Sequence, residues 1–222
     1  MSSISVHARL PLSVVVLGLG LLLLSLTACS SASNSGVASV KIISGAPSPY
    51  RGTHIEPAYV LPTATWTDTT GAVVSWPKDG LPHPVQIIFF AYTHCPDVCS
   101  TQLADATRAI RDLPEAARAK VGLTVITVDP QRDDAATLRT FLDRFDPSFV
   151  GLRPADSATL DTSALALGVG LDSAKTTNYE AEVAHGAQLI GFGPAGTAPV
   201  IWLPGIAPSD ITADLTTLVA QS

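Results

Sequence analysis

Val85-Gln-Ile-Ile-Phe-Phe-Ala91, followed at once by Tyr92-Thr-His-Cys95-Pro-Asp-Val-Cys99, is the stretch on which the fold turns. Its first seven residues are almost continuously apolar and rich in β-branched and aromatic side chains, with Pro82 and Pro84 just upstream. Such a run reads as a strand buried on both faces, because a half-exposed strand would alternate polar with apolar residues. Two cysteines therefore stand at the carboxyl end of a central strand, where open α/β sheets place their ligand sites.

Downstream, Ser100 to Leu113 carries Leu103, Ala106, Ala109 and Ile110 at helical spacing and stops at Pro114. Leu123-Thr-Val-Ile-Thr-Val128 reads as a second central strand, ending at Asp129-Pro130. Ala135 to Phe145 is an amphipathic helix, Phe149 to Leu152 a short strand, and Ser157 to Leu167 a helix closed by Gly168. Ala187 to Phe192, the turn Gly193-Pro-Ala-Gly196 and Pro199 to Leu203 read as a β-hairpin, and Ser209 caps a last helix running to Leu218. Strand, helix, strand, helix, hairpin, helix is the order of a thioredoxin-like α/β fold. Upstream, the Thr-rich alternation from Val40 to Trp76, with Gly71 in Asp68-Thr-Thr-Gly71, is expected to add an N-terminal hairpin.

At the N-terminus, His7 and Arg9 lead into an apolar stretch from Leu10 to Leu26 that carries no charge, a signal-peptide profile. Crossing a bilayer takes about 20 apolar residues, and this run, which contains Pro11, falls slightly short. Leu26-Thr-Ala-Cys29 resembles the lipobox of bacterial lipoproteins, which implies cleavage before Cys29 and acylation of its thiol. Residues 1–28 then form the signal, residues 29–39 a small, polar tether, and residues 40–222 a single domain, lipid-anchored on the extracytoplasmic face of the cell membrane. A formal net charge of −6 with no Lys/Arg cluster leaves no electrostatic footprint for nucleic acid.

With Cys29 assigned to the lipid, Cys95 and Cys99 remain of the three cysteines. A domain of this size needs no disulfide scaffold, so the pair reads as chemical. Backbone N–H groups at the start of the following helix favour a thiolate, which both metal ligation and redox exchange require. Spacing of four puts both sulfurs on one side of a helical turn, able to clasp a metal or to close a disulfide. The pair alone does not choose. A soft cuprous ion prefers thiolates with imidazole as a third ligand. His7 leaves with the signal; His54 and His83 lie in Pro-rich segments expected to be exposed; His94 is expected to point away from Cys95 and to brace the loop or meet a partner. His185 precedes the hairpin after a polar loop, but spacing alone does not select it.

Phe90-Ala-Tyr-Thr-His-Cys-Pro-Asp-Val-Cys99 resembles the signature of the Sco/SenC family, thioredoxin-like proteins implicated in copper delivery to cytochrome c oxidase. Val128-Asp-Pro-Gln-Arg-Asp133 resembles the family's Asp-Pro-x-Arg-Asp element, and Val183-Ala-His185 stands where its copper-binding histidine precedes a strand. The resemblance implies copper, as Cu(I) or Cu(II), held by Cys95, Cys99 and His185, with Asp129 as a supporting residue near the site. A turn residue closing the strand end is the plainer reading of Asp129. The implied partners are the copper-A subunit of the oxidase and a periplasmic-type copper donor. Ser100 stands where many relatives have proline, and Ala184 where many have aspartate before the histidine.

Three other readings compete. A thiol-disulfide oxidoreductase acting on an exported partner fits the fold and a redox-active Cys95–Cys99 pair, but its usual spacer is two residues and it has no use for His185. A peroxiredoxin-like peroxidase wants a threonine three before the reactive cysteine and a proline four before that; Thr93 is two before Cys95, and Phe89 holds the proline's place. A purely structural disulfide lacks a size-based need.

Overall fold

Val85–Ala91 is a strand with every residue buried, as its unbroken apolar run demands. The computed structural model describes residues 41–42, 48–171 and 185–222; the expected signal, Cys29 and the tether lie outside the described residues. The strands are β1 (Lys41–Ile42), β2 (Thr53–Val60), β3 (Ala64–Asp68), β4 (Val73–Trp76), β5 (Val85–Ala91), β6 (Val121–Thr127), β7 (Val150–Pro154), β8 (Leu189–Phe192) and β9 (Thr197–Trp202). The helices are α1 (Val98–Arg111), α2 (Glu115–Arg118), α3 (Ala135–Asp143), α4 (Ser157–Ala166) and α5 (Pro208–Val219). Among the described residues the strands form one sheet in the order β1-β2-β9-β8-β5-β6-β7-β3-β4. β5 and β6 pair in parallel, as do β6 and β7, while β8 lies antiparallel to both β5 and β9 between them. This is the expected thioredoxin-like arrangement, with β5 at its centre. None of the described helices is long and apolar enough to cross a membrane.

The expected N-terminal hairpin exists, but it is shorter than Val40 to Trp76. β3 and β4 pair around Gly71, whose φ of +89° suits the turn, and Asp68 Oδ1 accepts the N–H groups of Thr70 and Ala72 at 2.8 and 2.9 Å. β3 adds to the β7 edge of the sheet. The upstream strand β2 instead covers the opposite edge, antiparallel to β9, where it satisfies backbone groups that an open edge would leave unpaired. His54 consequently lies half-buried in a strand against the Tyr50 ring, and His83 is also half-buried, so neither is the exposed histidine its Pro-rich surroundings indicated.

Helix ends follow local chemistry. Gly168, at φ +68°, closes α4 as expected. Ser209, however, is not a cap: α5 begins at Pro208, and Ala207 precedes it in extended conformation without a side-chain cap bond. Proline fits the first helical position because its fixed φ is already helical and it has no N–H to satisfy. The short helix α2, between Pro114 and β6, was not anticipated at all.

One buried carboxylate ties the ends of the domain together. Asp214 of α5 accepts the N–H groups of Arg51 and Gly52 at 2.7 and 2.8 Å and the indole N–H of Trp202 at 2.8 Å. It thereby fastens the chain entering β2 to the last helix and to β9. Replacing Asp214 with alanine strands three donors in a dry environment and should cost about 3 kcal/mol of folding stability. Urea denaturation of Asp214→Ala checks this; a loss under about 1 kcal/mol would mean the clamp does not matter.

Candidate metal centre

β5 ends at Ala91, and the chain leaves the sheet through a turn in which Cys95 N–H donates to the Tyr92 carbonyl at 3.3 Å. Cys95 and Cys99 fall on either side of the start of α1. Asp97 occupies the N-cap without a side-chain bond to a helix N–H, and the Cys99 N–H donates instead to Cys95 Sγ at 3.4 Å. Ser100 sits in the first turn, where backbone N–H groups have no intrahelical acceptor. The proline expected at this place would lose no helical bond, so this departure removes none. The other, Ala184, lies outside the described residues.

The site needs a third element brought from far away in the chain. His185 forms an isolated antiparallel bridge with Leu171, and Gly186 N–H donates to the Gly170 carbonyl at 2.9 Å. Gln102, buried on α1 one turn beyond Cys99, donates to the Ala187 carbonyl at 2.9 Å. Gln188 donates to the Gly168 carbonyl at 2.8 Å. These bonds set His185 over the cysteines. Among the described residues Cys95, Cys99 and His185 are brought together so that one donor atom from each lies within 4.8 Å of the others. His185 Nε2 is 3.7 Å from Cys99 Sγ, while Nδ1 lies 2.9 Å from the Gly186 carbonyl oxygen. Since a carbonyl can only accept, Nδ1 carries the proton and Nε2 presents its lone pair to the sulfur. The Tyr92 ring meets the imidazole edge-on, centroids 5.7 Å apart.

Electrostatically the site departs from the expectation of thiolates favoured by a helix start. Burial pushes the Cys99 thiol far up, and the neighbouring Cys95 adds to the rise, while a backbone bond from Tyr92 pulls the other way. Desolvation outweighs the helix terminus because Cys99 is fully buried. Burial also lowers the His185 pKa, the Gly186 carbonyl opposing it, so the ring stays neutral. Both thiols are free. Two sulfurs and one unprotonated imidazole nitrogen, partly shielded from water, are a donor set that suits soft or borderline ions such as cuprous copper and zinc.

Asp129 is buried nearby, but its carboxylate pairs with Arg132 and is not one of the converging donors. Its link to the cluster is indirect: the Arg132 guanidinium lies 5.8 Å from the Tyr92 ring centroid, and Tyr92 touches His185. Its main chain closes the turn after β6, with its carbonyl accepting from Arg132 and Asp133 N–H.

Asp133, four residues on, was not singled out from the sequence. Its carboxylate has no exposed surface and accepts from Thr93 N–H at 3.1 Å, Thr93 Oγ1 at 2.5 Å and Thr127 Oγ1 at 2.6 Å. It fastens the cysteine loop to the end of β6. Arg153 of β7 clamps the same turn, donating to the Asp133 and Pro130 carbonyls at 2.9 and 3.0 Å. His94 is exposed, its Nδ1 3.0 Å from Thr93 Oγ1.

The model of the family described as SCO1/SenC matches residues 57–220. A Stutzerimonas stutzeri protein named for copper binding is 35% identical over 111 residues, 50% of this chain and 54% of that protein. A mitochondrial SCO2 homolog of Mus musculus is 37% identical over 67 residues, 30% of this chain and 26% of its own length. The chain thus spans about half of the first relative and about a quarter of the second. Among solved structures it is similar to Bradyrhizobium japonicum ScoI with copper bound, at 29% identity and a TM-score of 0.61 over 72% of this chain and 99% of that one. It is also similar to apo Sco1 of Thermus thermophilus, at 27% identity and a TM-score of 0.66 over 76% and 96%. With the matched region running from β2 to α5 and containing all three converging donors, the chain belongs to the SCO1/SenC family.

Proposed function

We propose that this protein binds one copper ion between Cys95, Cys99 and His185 and delivers it to the copper-A site of cytochrome c oxidase. It does so at the outer face of the cell membrane, held there by acylated Cys29 and supplied by a periplasmic-type copper donor. The observation that carries the reading is the convergence of the three donor atoms within 4.8 Å of one another. Two thiolates satisfy a soft monovalent ion, and a neutral imidazole completes the set without adding charge. The copper-bound Bradyrhizobium structure and the Stutzerimonas protein's name support copper as the ion. The Cys95–Cys99 and Asp129–Asp133 motifs support the oxidase as its destination. Asp129 acts on the site through Arg132 and Tyr92.

Copper here is cargo, so release matters as much as capture. Closing a Cys95–Cys99 disulfide would remove both sulfur ligands at once. That same chemistry sustains a second reading, a thiol-disulfide oxidoreductase, which the two free thiols, one in the turn before α1 and one in its first turn, favour. His185 separates the two, since metal binding needs it and dithiol exchange does not.

Copper titration should give one ion per reduced chain and little binding to the oxidised form. Replacing His185 with alanine should loosen copper at least about a hundredfold while leaving the dithiol able to oxidise. Cells carrying His185→Ala should then assemble oxidase poorly at limiting copper and recover with excess. Full oxidase activity in that variant, with none in Cys95→Ser or Cys99→Ser, would make dithiol chemistry the function instead.

The anchor is tested separately. Cys29→Ser should abolish the lipid mass shift and either release the domain from the membrane fraction or leave an uncleaved precursor. The same lipid mass in both proteins would remove Cys29 as the acylation site.

A further inference from the structure

We propose that Gln102 is the positioning residue that makes the copper site three-coordinate, by coupling His185 to the helix that carries Cys99. The inference rests on the copper reading above and adds a residue to it.

The first observation is an unequal set of attachments. His185 bridges Leu171, Gly186 N–H donates to the Gly170 carbonyl at 2.9 Å, and Gln188 Nε2 donates to the Gly168 carbonyl at 2.8 Å. All three tie the histidine segment to residues 168–171, and none ties it to the cysteines. Gln102 alone reaches across from α1. Its Nε2 donates to the Ala187 carbonyl at 2.9 Å, which among the described residues is the one hydrogen bond, besides the Cys99–His185 contact itself, between α1 and this segment. A carbonyl can only accept, so the amide nitrogen is the atom that faces it. Gln102 is 1% exposed, so an amide that swung away from Ala187 would find no water in its place. Three residues separate Gln102 from Cys99, which puts both side chains on one side of the helix, toward the histidine.

The second observation is a distance. Cys99 Sγ and His185 Nε2 are 3.7 Å apart. Metal–sulfur and metal–nitrogen bonds of about 2.3 and 2.0 Å, the values for zinc, hold such a pair about 3.5 to 3.8 Å apart at angles between tetrahedral and trigonal. The imidazole nitrogen therefore already stands where a third ligand belongs. A ligand held in place beforehand binds without the entropy cost of ordering its segment. Without the Gln102 bond the segment still hangs from residues 168–171, but Nε2 loses its register against Cys99. Two thiolates are then left to hold copper by themselves.

The probe is Cu(I) held by bicinchoninate, for which the full reduced chain competes. Gln102→Leu keeps the bulk and removes the donor, so copper should bind about ten- to a hundredfold more weakly, and X-ray absorption should lose the nitrogen from the copper shell. In a His185→Ala background the same substitution should change the affinity by less than about twofold, since no imidazole remains to be placed. Leu218→Ala truncates a buried side chain beside Gly193, at the other end of β8 from the histidine, and should weaken the fold while keeping the wild-type affinity. Hydrogen exchange of the Gln102 side-chain amide in the reduced wild-type chain needs no variant and should be slow; exchange as fast as that of an exposed glutamine overturns the proposal even where Gln102→Leu does not fold. Wild-type affinity with nitrogen retained in Gln102→Leu, or an equal loss of affinity in the His185→Ala background or in Leu218→Ala, would overturn the role of Gln102 and leave the copper reading standing. A wild-type chain that takes no copper from bicinchoninate would overturn both.

Discussion

A carboxylate with no exposed surface has to have its oxygens filled with hydrogen bonds, and Asp133 meets that demand by reaching across two loops at once. One oxygen takes the Thr93 hydroxyl and the other the Thr127 hydroxyl, with the Thr93 N–H beside them. β5 and β6 deliver their carboxyl ends side by side, but parallel pairing fixes only the strands. The loops beyond them would be free to wander without Asp133. Arg153 completes the brace from β7 by holding the main chain of the same turn. The cysteine loop is thus anchored to the sheet on one side and to α1 on the other, and His185 is brought to it by Gln102 and the Leu171 bridge.

Sequence reading reached the parts of this arrangement that are written locally. The apolar run of β5, the helical spacing of Leu103, Ala106 and Ile110, and the turn at Gly71 each specify their element within a dozen residues, and each is present. Helix ends shifted by a residue or two because capping competes with neighbouring signals, as Pro208 displaced Ser209. What stayed hidden are contacts that depend on the assembled fold. Asp214 lies 163 residues from Arg51, and nothing near either residue announces the other. Edge choice is similar: the alternation of β2 marks a strand, but only the vacant side of β9 determines where it pairs.

The site shows the same division. Cys95 and Cys99 were legible from their spacing after β5, but no single helical turn holds them: Cys95 lies in the turn before α1 and only Cys99 is within the helix. His185 was legible only through resemblance, since its position depends on the bridge to Leu171. Asp129 and Asp133 belong to the same motif, yet the structure gives them different work. Asp129 turns its carboxylate to Arg132, while Asp133 turns inward to the loop that carries the cysteines. Gln102 left a faint local signal, a long polar residue on the mostly apolar buried face of the helix, three residues after Cys99. Such a residue has to find a partner, and here the partner is the carbonyl of Ala187.

The charge state of the three donors follows from competition between two physical effects. A helix start stabilises a thiolate by a modest amount near its end, whereas full burial of a lone negative charge costs far more. At Cys99 burial prevails, so the thiol keeps its proton until something positive arrives. A monovalent metal supplies that charge: two thiolates around it carry one net negative charge where a lone pair of thiolates would carry two. Ligation and deprotonation are therefore one event, and a neutral His185, kept so by its own burial, joins without a proton to shed. Such a site discriminates against holding bare charge while remaining ready for a cation, which is the property that a soft-metal site of two thiols and an imidazole requires.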